Sequence, residues 1–441
     1  MNYQRILRIA SGYLLFTGYQ IRTLDVKSQR YRVSLWSVLY FVGLLVIYLI
    51  CFGHHFEESA LLKITFDLSP FLKHLLLFQI WLGLKTFVFC MIEWTFLTKV
   101  FNGLLAVLVG TKAPQNASTA KKVIREELLT YLIFFSTLLV AFAFGLYIAI
   151  EMKFVLPPMD HIMIALALFI PHFMVAGALR FHTLSLWLLR TKLSEYKDQL
   201  IIQDPISQKS NVIVEIINPV LKKDLEENRN PNEGFSSMDE IIKNDELEVN
   251  KTPVEDITPM DIYRYVSEGV NGIARYLSST NKILQRQLLI LNGLNYNCLL
   301  YGIYTKLYFE KSWHLIFTDR NRRVFYAANS VIFVCIFLDY LLLTMTLLSF
   351  RKTKSGFYKM INKKIETKTL SEDKLTILKD LKRGLKKEMN LKLFNIVDFK
   401  IWNFVIIQLL MLLSIAVTVL YQYFNDQIVE LMHIVESSSD E

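Results

Sequence analysis

The sequence predicts an all-α integral membrane protein with seven transmembrane helices, a cytoplasmic amino terminus, an extracellular carboxyl terminus and a helical cytoplasmic base. Its 441 residues are 53% hydrophobic and its mean hydropathy is positive, so the chain has more apolar surface than one soluble core requires. Seven apolar runs of roughly 20 residues or more are long enough to cross the hydrocarbon layer as helices. Basic residues gather in alternate connections between these runs, which is the pattern that sets membrane topology.

The apolar runs differ in polarity. They lie near residues 33–53, 73–98, 128–151, 161–188, 287–309, 324–350 and 399–424. The fifth run contains Asn292, Asn295 and Asn297, and this composition predicts that one of its faces meets protein or a water-filled cavity rather than lipid. The stretch before the first run has scattered arginines and no small-residue cleavage site, so we expect the first run to remain as an anchor.

Basic side chains determine the predicted orientation, because the insertion machinery tends to retain them in the cytoplasm. The set that precedes the first run comprises Arg5, Arg8, Arg22, Lys27, Arg30 and Arg32. The connection 99–125 and the stretch 351–400 are also basic, whereas the opposite connections have few such residues. Arg320, Arg322 and Arg323 are the exception, and we interpret them as a ring around an extracellular vestibule.

The chain divides into segments of different composition. Residues 1–32 form a cytoplasmic amino-terminal segment, 33–202 hold the first four spans, and 203–258 is an acid-rich stretch that we predict to be a disordered cytoplasmic insertion. Residues 259–350 hold spans five and six with a cytoplasmic extension, 351–398 form basic anchor helices, 399–424 form span seven, and 425–441 form an acidic extracellular tail.

Helical spacing extends outside the spans. The apolar positions that show it before span five are Ile262, Val266, Val270, Ile273 and Leu277, and those before span seven are Leu370, Leu375, Leu378, Leu381 and Leu385. This spacing predicts amphipathic helices. They either pack together as a cytoplasmic base or lie on the membrane surface as basic amphipaths.

Three ionisable residues fall inside predicted spans. An unpaired charge in the bilayer is costly, so such residues usually face protein or water. We predict that Asp339 pairs with Arg180 or, as second choice, with Lys85. The alternative for the two basic residues is that they extend toward the cytoplasmic interface.

No motif for catalysis is present. The sequence has no Walker loop and no HExxH, GxSxG or CxxC pattern. Its histidines are dispersed without a metal-binding pair, and its four cysteines lie in or beside apolar runs. We therefore expect no enzyme activity, no cofactor and no metal. The basic residues lie beside membrane spans, so nucleic acid is not an expected partner.

The last span contains a recognisable motif. Its end reads Ile-Ala-Val-Thr-Val-Leu-Tyr-Gln-Tyr-Phe over residues 415–424. The chain resembles the insect gustatory receptor family, whose span-seven signature is Thr-Tyr, five apolar residues and Gln-Phe. Gln422 and the aromatic residue after it match this signature, whereas Ile415-Ala416 replace Thr-Tyr. The resemblance covers nearly the whole chain by layout, a layout that the odorant receptor branch shares.

The resemblance implies a ligand-gated, nonselective cation channel in the plasma membrane, assembled as a homo- or hetero-tetramer with related subunits. In that family, span seven lines the pore, cytoplasmic helices join the subunits, and a small-molecule tastant binds in the outer half of spans two to six. A transporter is the alternative within the membrane class. A G-protein-coupled receptor is disfavoured, because its topology is inverted relative to this one and its Asp-Arg-Tyr and Asn-Pro-x-x-Tyr motifs are missing.

Polar and aromatic residues in the outer halves of the spans are the candidates for the tastant site. They are Gln79, Trp81, Tyr147, Glu151, His172, Tyr301, Tyr304 and Asn329. Aromatic faces and carboxylate or amide groups suit a sugar, and the rings alone suit an apolar bitter compound. For any single residue, ordinary helix packing is the alternative role.

Candidate pore residues follow along span seven. Val417 and Tyr421 are expected to form an apolar constriction, with the Gln422 amide nearby. Beyond them, Asp426 and Glu430 are four residues apart, and four copies would attract cations to the outer mouth. The alternative is a solvated acidic tail without an electrical role.

Overall fold

The structure, a computed structural model, describes residues 3–25, 30–57, 70–109, 158–202, 259–312, 319–366, 370–389, 392–393, 397–398 and 401–439. These residues are mostly helical, which confirms the all-α prediction in its coarse form. The predicted third span, the acidic insertion at 203–258 and the candidate residues Tyr147 and Glu151 lie outside the described residues.

Eight helices and four short strands make up the described part of the chain. The helices are α1 Tyr3–Phe16, α2 Leu35–Glu57, α3 Pro70–Val109, α4 Pro158–Ile202, α5 Pro259–Ser312, α6 Asp319–Glu366, α7 Glu372–Arg383 and α8 Ile401–Ser439. A π-helical turn, Gly384–Glu388, extends α7. The strands form two antiparallel pairs, β1 Arg22–Asp25 with β2 Arg30–Val33 and β3 Lys392–Leu393 with β4 Val397–Asp398.

The amino-terminal segment folds onto the bundle as α1 and a hairpin. In α1 the residues Ile6, Leu7, Ala10 and Leu14 are buried, so one apolar stripe faces the other helices. Helix α1 ends at Phe16, and Gly18 has a φ of +76°, a left-handed conformation that glycine adopts without steric cost. The chain therefore turns back toward α3 and α4 before it enters the hairpin.

Within the described residues, four helical segments are long and apolar enough to cross a membrane. They are Leu35–His54 in α2, Lys73–Glu93 in α3, Phe333–Glu366 in α6 and Gln408–Val429 in α8. The stretches 161–188 and 287–309 are helical within α4 and α5 but are not among these four. Seven spans and the orientation of the termini stay predictions.

Helices α4 and α5 lie inside the bundle and carry buried polar residues. Helix α4 packs against α2, α3, α5 and α6, and α5 packs against α3, α4, α7 and α8. Most described residues of α4 from Met174 to Leu200 are buried, including Arg180 and His182. Neighbouring helices shield such a helix from lipid, so its polar side chains can find hydrogen-bond partners within the protein.

The three longest helices extend beyond the thickness of a bilayer. Helices α4, α5 and α6 have 45, 54 and 48 residues, which is roughly 70 to 80 Å of helix against a hydrocarbon layer of about 30 Å. Their ends pack with α7 and the π-helical turn into a unit that we call the helical base, comprising 191–202, 259–286, 351–366 and 370–389. The buried side chains of the base include Tyr196, Leu200, Val266, Val270, Ile273, Phe357, Ile361, Leu378, Leu381 and Leu385.

Helix α7 packs against other helices of the base. Leu378 and Leu381 are buried, and α7 contacts both α5 and α6. The apolar side of α7 is thus covered by protein, Lys379 is exposed, and Lys374 and Lys382 lie over the Tyr263 and Tyr358 rings. At the other end of the chain, α8 continues through the predicted tail as far as Ser439, because Ile428, Leu431 and Met432 maintain helical apolar spacing there.

The tight contact between α4 and α5 generates a prediction. Gly269 of α5 lies directly against the Tyr196 ring, where an added Cβ would overlap ring atoms, whereas a Cβ at Gly272 would lie 3.5 Å from Val107 Cγ2, an ordinary contact. We expect Gly269→Ala to lower the free energy of unfolding by about 1–3 kcal/mol through overpacking. Gly272→Ala, the matched control, should be neutral or stabilising by up to about 1 kcal/mol because alanine favours helix.

Melting temperatures of the purified variants in detergent would measure this difference. Equal melting temperatures for the two variants would show that α4 and α5 are not in close contact at Gly269.

Candidate functional site at the α3–α5–α8 junction

Helix α8 meets the rest of the bundle at a small apolar cluster. Its buried members are Leu75 of α3, Leu300 and Tyr304 of α5, and Ile415 and Val419 of α8. The residues from α5 are four apart, as are those from α8, so each pair forms one stripe on its helix. We call this cluster the α8 junction.

Three of the candidate ligand residues gather at the α8 junction. Tyr304 is fully buried in it, and Tyr301 packs against it. Gln79, one turn after Leu75, accepts a hydrogen bond of 2.8 Å through Oε1 from Asn297 Nδ2, which also donates to the Leu75 carbonyl at 2.9 Å. The junction thus combines apolar walls with an amide pair, which is the composition typical of a small-molecule site.

The other candidates lie elsewhere. Trp81 is 41% exposed, and its ring has Lys85 Nζ 3.8 Å from its centroid. His172 is half-buried on α4, two turns before Arg180, and Asn329 lies on α6. Of the candidates whose side chains the structure describes, Gln79, Tyr301 and Tyr304 thus lie together, whereas Trp81 and His172 are not part of the α8 junction.

An ion pair connects α4 to α6. Arg180 Nε donates to Asp339 Oδ1 at 3.1 Å and Arg180 Nη2 donates to Oδ2 at 2.9 Å, a bidentate arrangement. The third nitrogen, Nη1, donates to Tyr13 Oη of α1 at 3.3 Å. The Arg180 and Asp339 side chains are 6% and 13% exposed. This pair therefore holds three helices together, while Lys85 lies over Trp81.

A second polar network was missed by the sequence analysis. The Gln287 amide of α5 lies between three partners: Nε2 donates to Glu93 Oε2 at 3.0 Å and to Tyr19 Oη, and Oε1 is 2.8 Å from His182 Nε2. All four side chains are buried. In the sequence, Glu93, Gln287 and His182 lie toward the ends of three different apolar runs. This pattern marks three polar residues but does not show that they contact one another.

The candidate pore residues are divided between two faces of α8. Successive residues of a helix are about 100° apart, so Gln422 lies on the same side as Ile415 and Val419, toward α5. Val417 and Tyr421 lie on the other side and are 58% and 71% exposed. Asp426 and Glu430 are on the continuation of α8, one turn apart.

Polar contacts accompany the apolar stripe of α8. Ser414 Oγ lies 3.0 Å from Tyr296 Oη of α5, and Thr418 Oγ1 donates to the Ser414 carbonyl at 2.8 Å. Within the described ranges α5 is the main neighbour of α8. The α8 junction is thus the principal attachment of this helix.

Comparison with known proteins adds no family assignment. No protein-family model matches the chain, and no curated protein matches it significantly. Among the residues that the structure describes, no group of three His, Cys, Asp or Glu side chains is placed to hold a metal ion.

The Arg180–Asp339 pair generates a stability prediction. Asp339→Asn leaves a buried guanidinium without its counter-charge, so we expect a loss of about 3–5 kcal/mol in the free energy of unfolding. The double variant Arg180→Met/Asp339→Leu should recover most of this loss, because it removes both charges. Lys85→Gln is the control and should change stability by less than about 0.5 kcal/mol.

The measurement is the melting temperature of the parent and of the three variants, each purified in the same detergent. A melting temperature of Asp339→Asn equal to that of the parent would contradict a structural role for the pair.

Proposed function

We propose that this chain is a subunit of a gustatory-receptor-like, ligand-gated, nonselective cation channel of the plasma membrane, with α8 lining the pore of a tetramer. The observation that supports it best is the exposure of α8 in a single chain. Only 11% of its most apolar 18-residue window is buried, the lowest share among the four candidate spans. The resemblance to the gustatory receptor family also implies that this helix, span seven, lines the pore.

Exposure of α8 favours assembly because the helix carries two kinds of surface. One stripe is attached to α5 through Ile415 and Val419, and the opposite side presents Leu413, Val417, Tyr421 and Phe424 to the outside of the chain. Lipid alone would cover the aliphatic residues. Around a central axis, four copies of this side would instead form an apolar constriction at Val417 and Tyr421 that closes by dewetting.

The α8 junction supplies a physical connection between ligand and pore. Tyr304 belongs to the same cluster as Ile415 and Val419, so a tastant that displaces Tyr301 or Tyr304 also shifts the surface on which α8 rests. Gln422 follows Val419 on the α5 side of the helix, which turns it away from the proposed axis. Asp426 and Glu430 then lie beyond the constriction and attract cations to the outer mouth.

Modification of introduced cysteines tests the pore. We expect a cationic thiol reagent to reduce ligand-evoked current through Val417→Cys and Tyr421→Cys channels by at least about half, because the attached charge raises the electrostatic barrier in the constriction. Phe337→Cys is the matched control. This residue is 65% exposed, but it belongs to α6, which the proposal does not place at the pore.

Whole-cell recording with the parent chain as the blank measures the effect. Equal inhibition of all three variants, or none at Val417 and Tyr421, would remove α8 from the pore. A transporter would show no ligand-gated ohmic current in any of them.

Dose–response curves test the ligand site. For an activating compound found among sugars and bitter alkaloids, Tyr301→Ala should raise the half-maximal concentration about tenfold or more, because a lost aromatic contact is worth about 1.5–3 kcal/mol. Trp81→Ala removes an exposed aromatic ring of α3 that lies outside the α8 junction and should leave the curve unchanged. A shift for Trp81→Ala alone would move the site away from the α8 junction.

A further inference from the structure

Arg22 is a buried arginine for which the described residues provide no counter-charge. It is the first residue of β1 and is 5% exposed, yet its Nε and Nη1 atoms are buried and have no hydrogen-bond partner. Burial lowers the pKa of Arg22, although a guanidinium stays protonated at any physiological pH. Its backbone carbonyl is the acceptor of a long 3.5 Å contact from Ser11 Oγ.

A buried charge that lacks a partner is costly, and native proteins normally supply one. The hairpin itself does not. Arg22 is opposite Val33 in the antiparallel register, on the face that also carries Leu24 and Tyr31. Asp25 lies on the other face, where it pairs with Arg32 at 3.7 Å. A counter-charge for the Arg22 guanidinium must therefore come from outside the two strands of the hairpin.

The surface next to Arg22 is apolar. Its large exposed residues are Phe16 at 61%, Val33 at 55%, Leu35 at 73% and Trp36 at 80%. Helix α2, a candidate membrane span, begins at Leu35. Tyr40 Oη donates to the Phe16 carbonyl at 2.7 Å and so ties the end of α1 to α2. Tryptophan beside the first turn of a span is typical of the membrane–water interface.

We propose that Arg22 binds the phosphate of an anionic phospholipid, whose acyl chains lie against Val33, Leu35 and Trp36. The ligand must combine an anion with an apolar body, because the buried Arg22 guanidinium lies on the same hairpin face as the exposed apolar residue Val33. A phosphate accepts two parallel hydrogen bonds from a guanidinium. Residues 1–32 are placed on the cytoplasmic side by the topology proposed above, and that leaflet is the one rich in anionic lipids.

The inference rests on the membrane placement of α2 and on the predicted cytoplasmic side of residues 1–32, and not on the channel function. It also accounts for a positive charge at a buried position of the hairpin. Without an anion, a neutral residue at this position would make the fold more stable. Arg30, which lies on the opposite face of the same hairpin and is exposed, provides a matched control.

The test is a lipid titration of the full-length chain in detergent, followed by its melting temperature. Short-chain phosphatidylserine should raise the melting temperature of the parent and of Arg30→Gln with saturation, whereas short-chain phosphatidylcholine should act at least about tenfold more weakly. Arg22→Gln should need at least about tenfold more phosphatidylserine, because it loses charge-assisted hydrogen bonds. Without lipid, Arg22→Gln should be as stable as the parent or more so.

Three outcomes would overturn the proposal. The first is an unchanged phosphatidylserine response in Arg22→Gln, and the second is an equal loss in Arg30→Gln. The third is an equal response of the parent to inorganic phosphate, which would assign a free-phosphate site instead of a lipid site. If Arg22→Gln does not fold, native mass spectrometry of the parent decides: retention of phosphatidylserine no greater than that of phosphatidylcholine after mild delipidation contradicts the site.

Discussion

The constraint on which this structure depends is that a polar side chain inside an apolar helix bundle must find its partner within the protein. Arg180 meets Asp339 and Tyr13, Gln287 meets Glu93 and His182, and Asn297 meets Gln79. Each contact joins two or more helices, and α4 or α5 contributes to every one. The polar groups therefore determine which helices lie inside, and the apolar helices α2, α6 and α8 present more of their surface to the outside.

This arrangement makes the attachment of α8 different from that of the other helices. Helices α3 to α6 are connected by buried polar contacts as well as by apolar packing. Helix α8 is attached through the stripe of Ile415 and Val419 and through Ser414 with Tyr296. The helix that the proposed function assigns to the pore is thus attached to α5 through an apolar stripe and a hydroxyl pair.

Sequence reasoning reached the helical class and the long α5 helix because both depend on local periodicity, as Val266, Val270 and Ile273 show. Local periodicity would also have found α1 from Ile6, Leu7, Ala10 and Leu14. The Gln287 network and the burial of Arg22 depend on how distant segments of the chain pack together. The spacing of residues along the sequence does not contain this information. The division of the pore candidates has the same cause: the positions of Val417 and Gln422 on the helix are fixed by 100° steps, but which side faces α5 is decided by packing.

Energetics indicate where movement in the bundle is least costly. Separating Arg180 from Asp339 leaves a buried charge, a cost of about 3–5 kcal/mol, and opening the Gln287 contacts leaves several buried polar groups at about 1–3 kcal/mol each. Sliding Ile415 and Val419 over Leu300 and Tyr304 exchanges one apolar surface for another, and no charge is left unpaired. In the proposed channel, a ligand at the α8 junction would need only a small difference in affinity between two positions of α8 to shift their populations, and the α4–α6 contact would be the fixed frame for that movement.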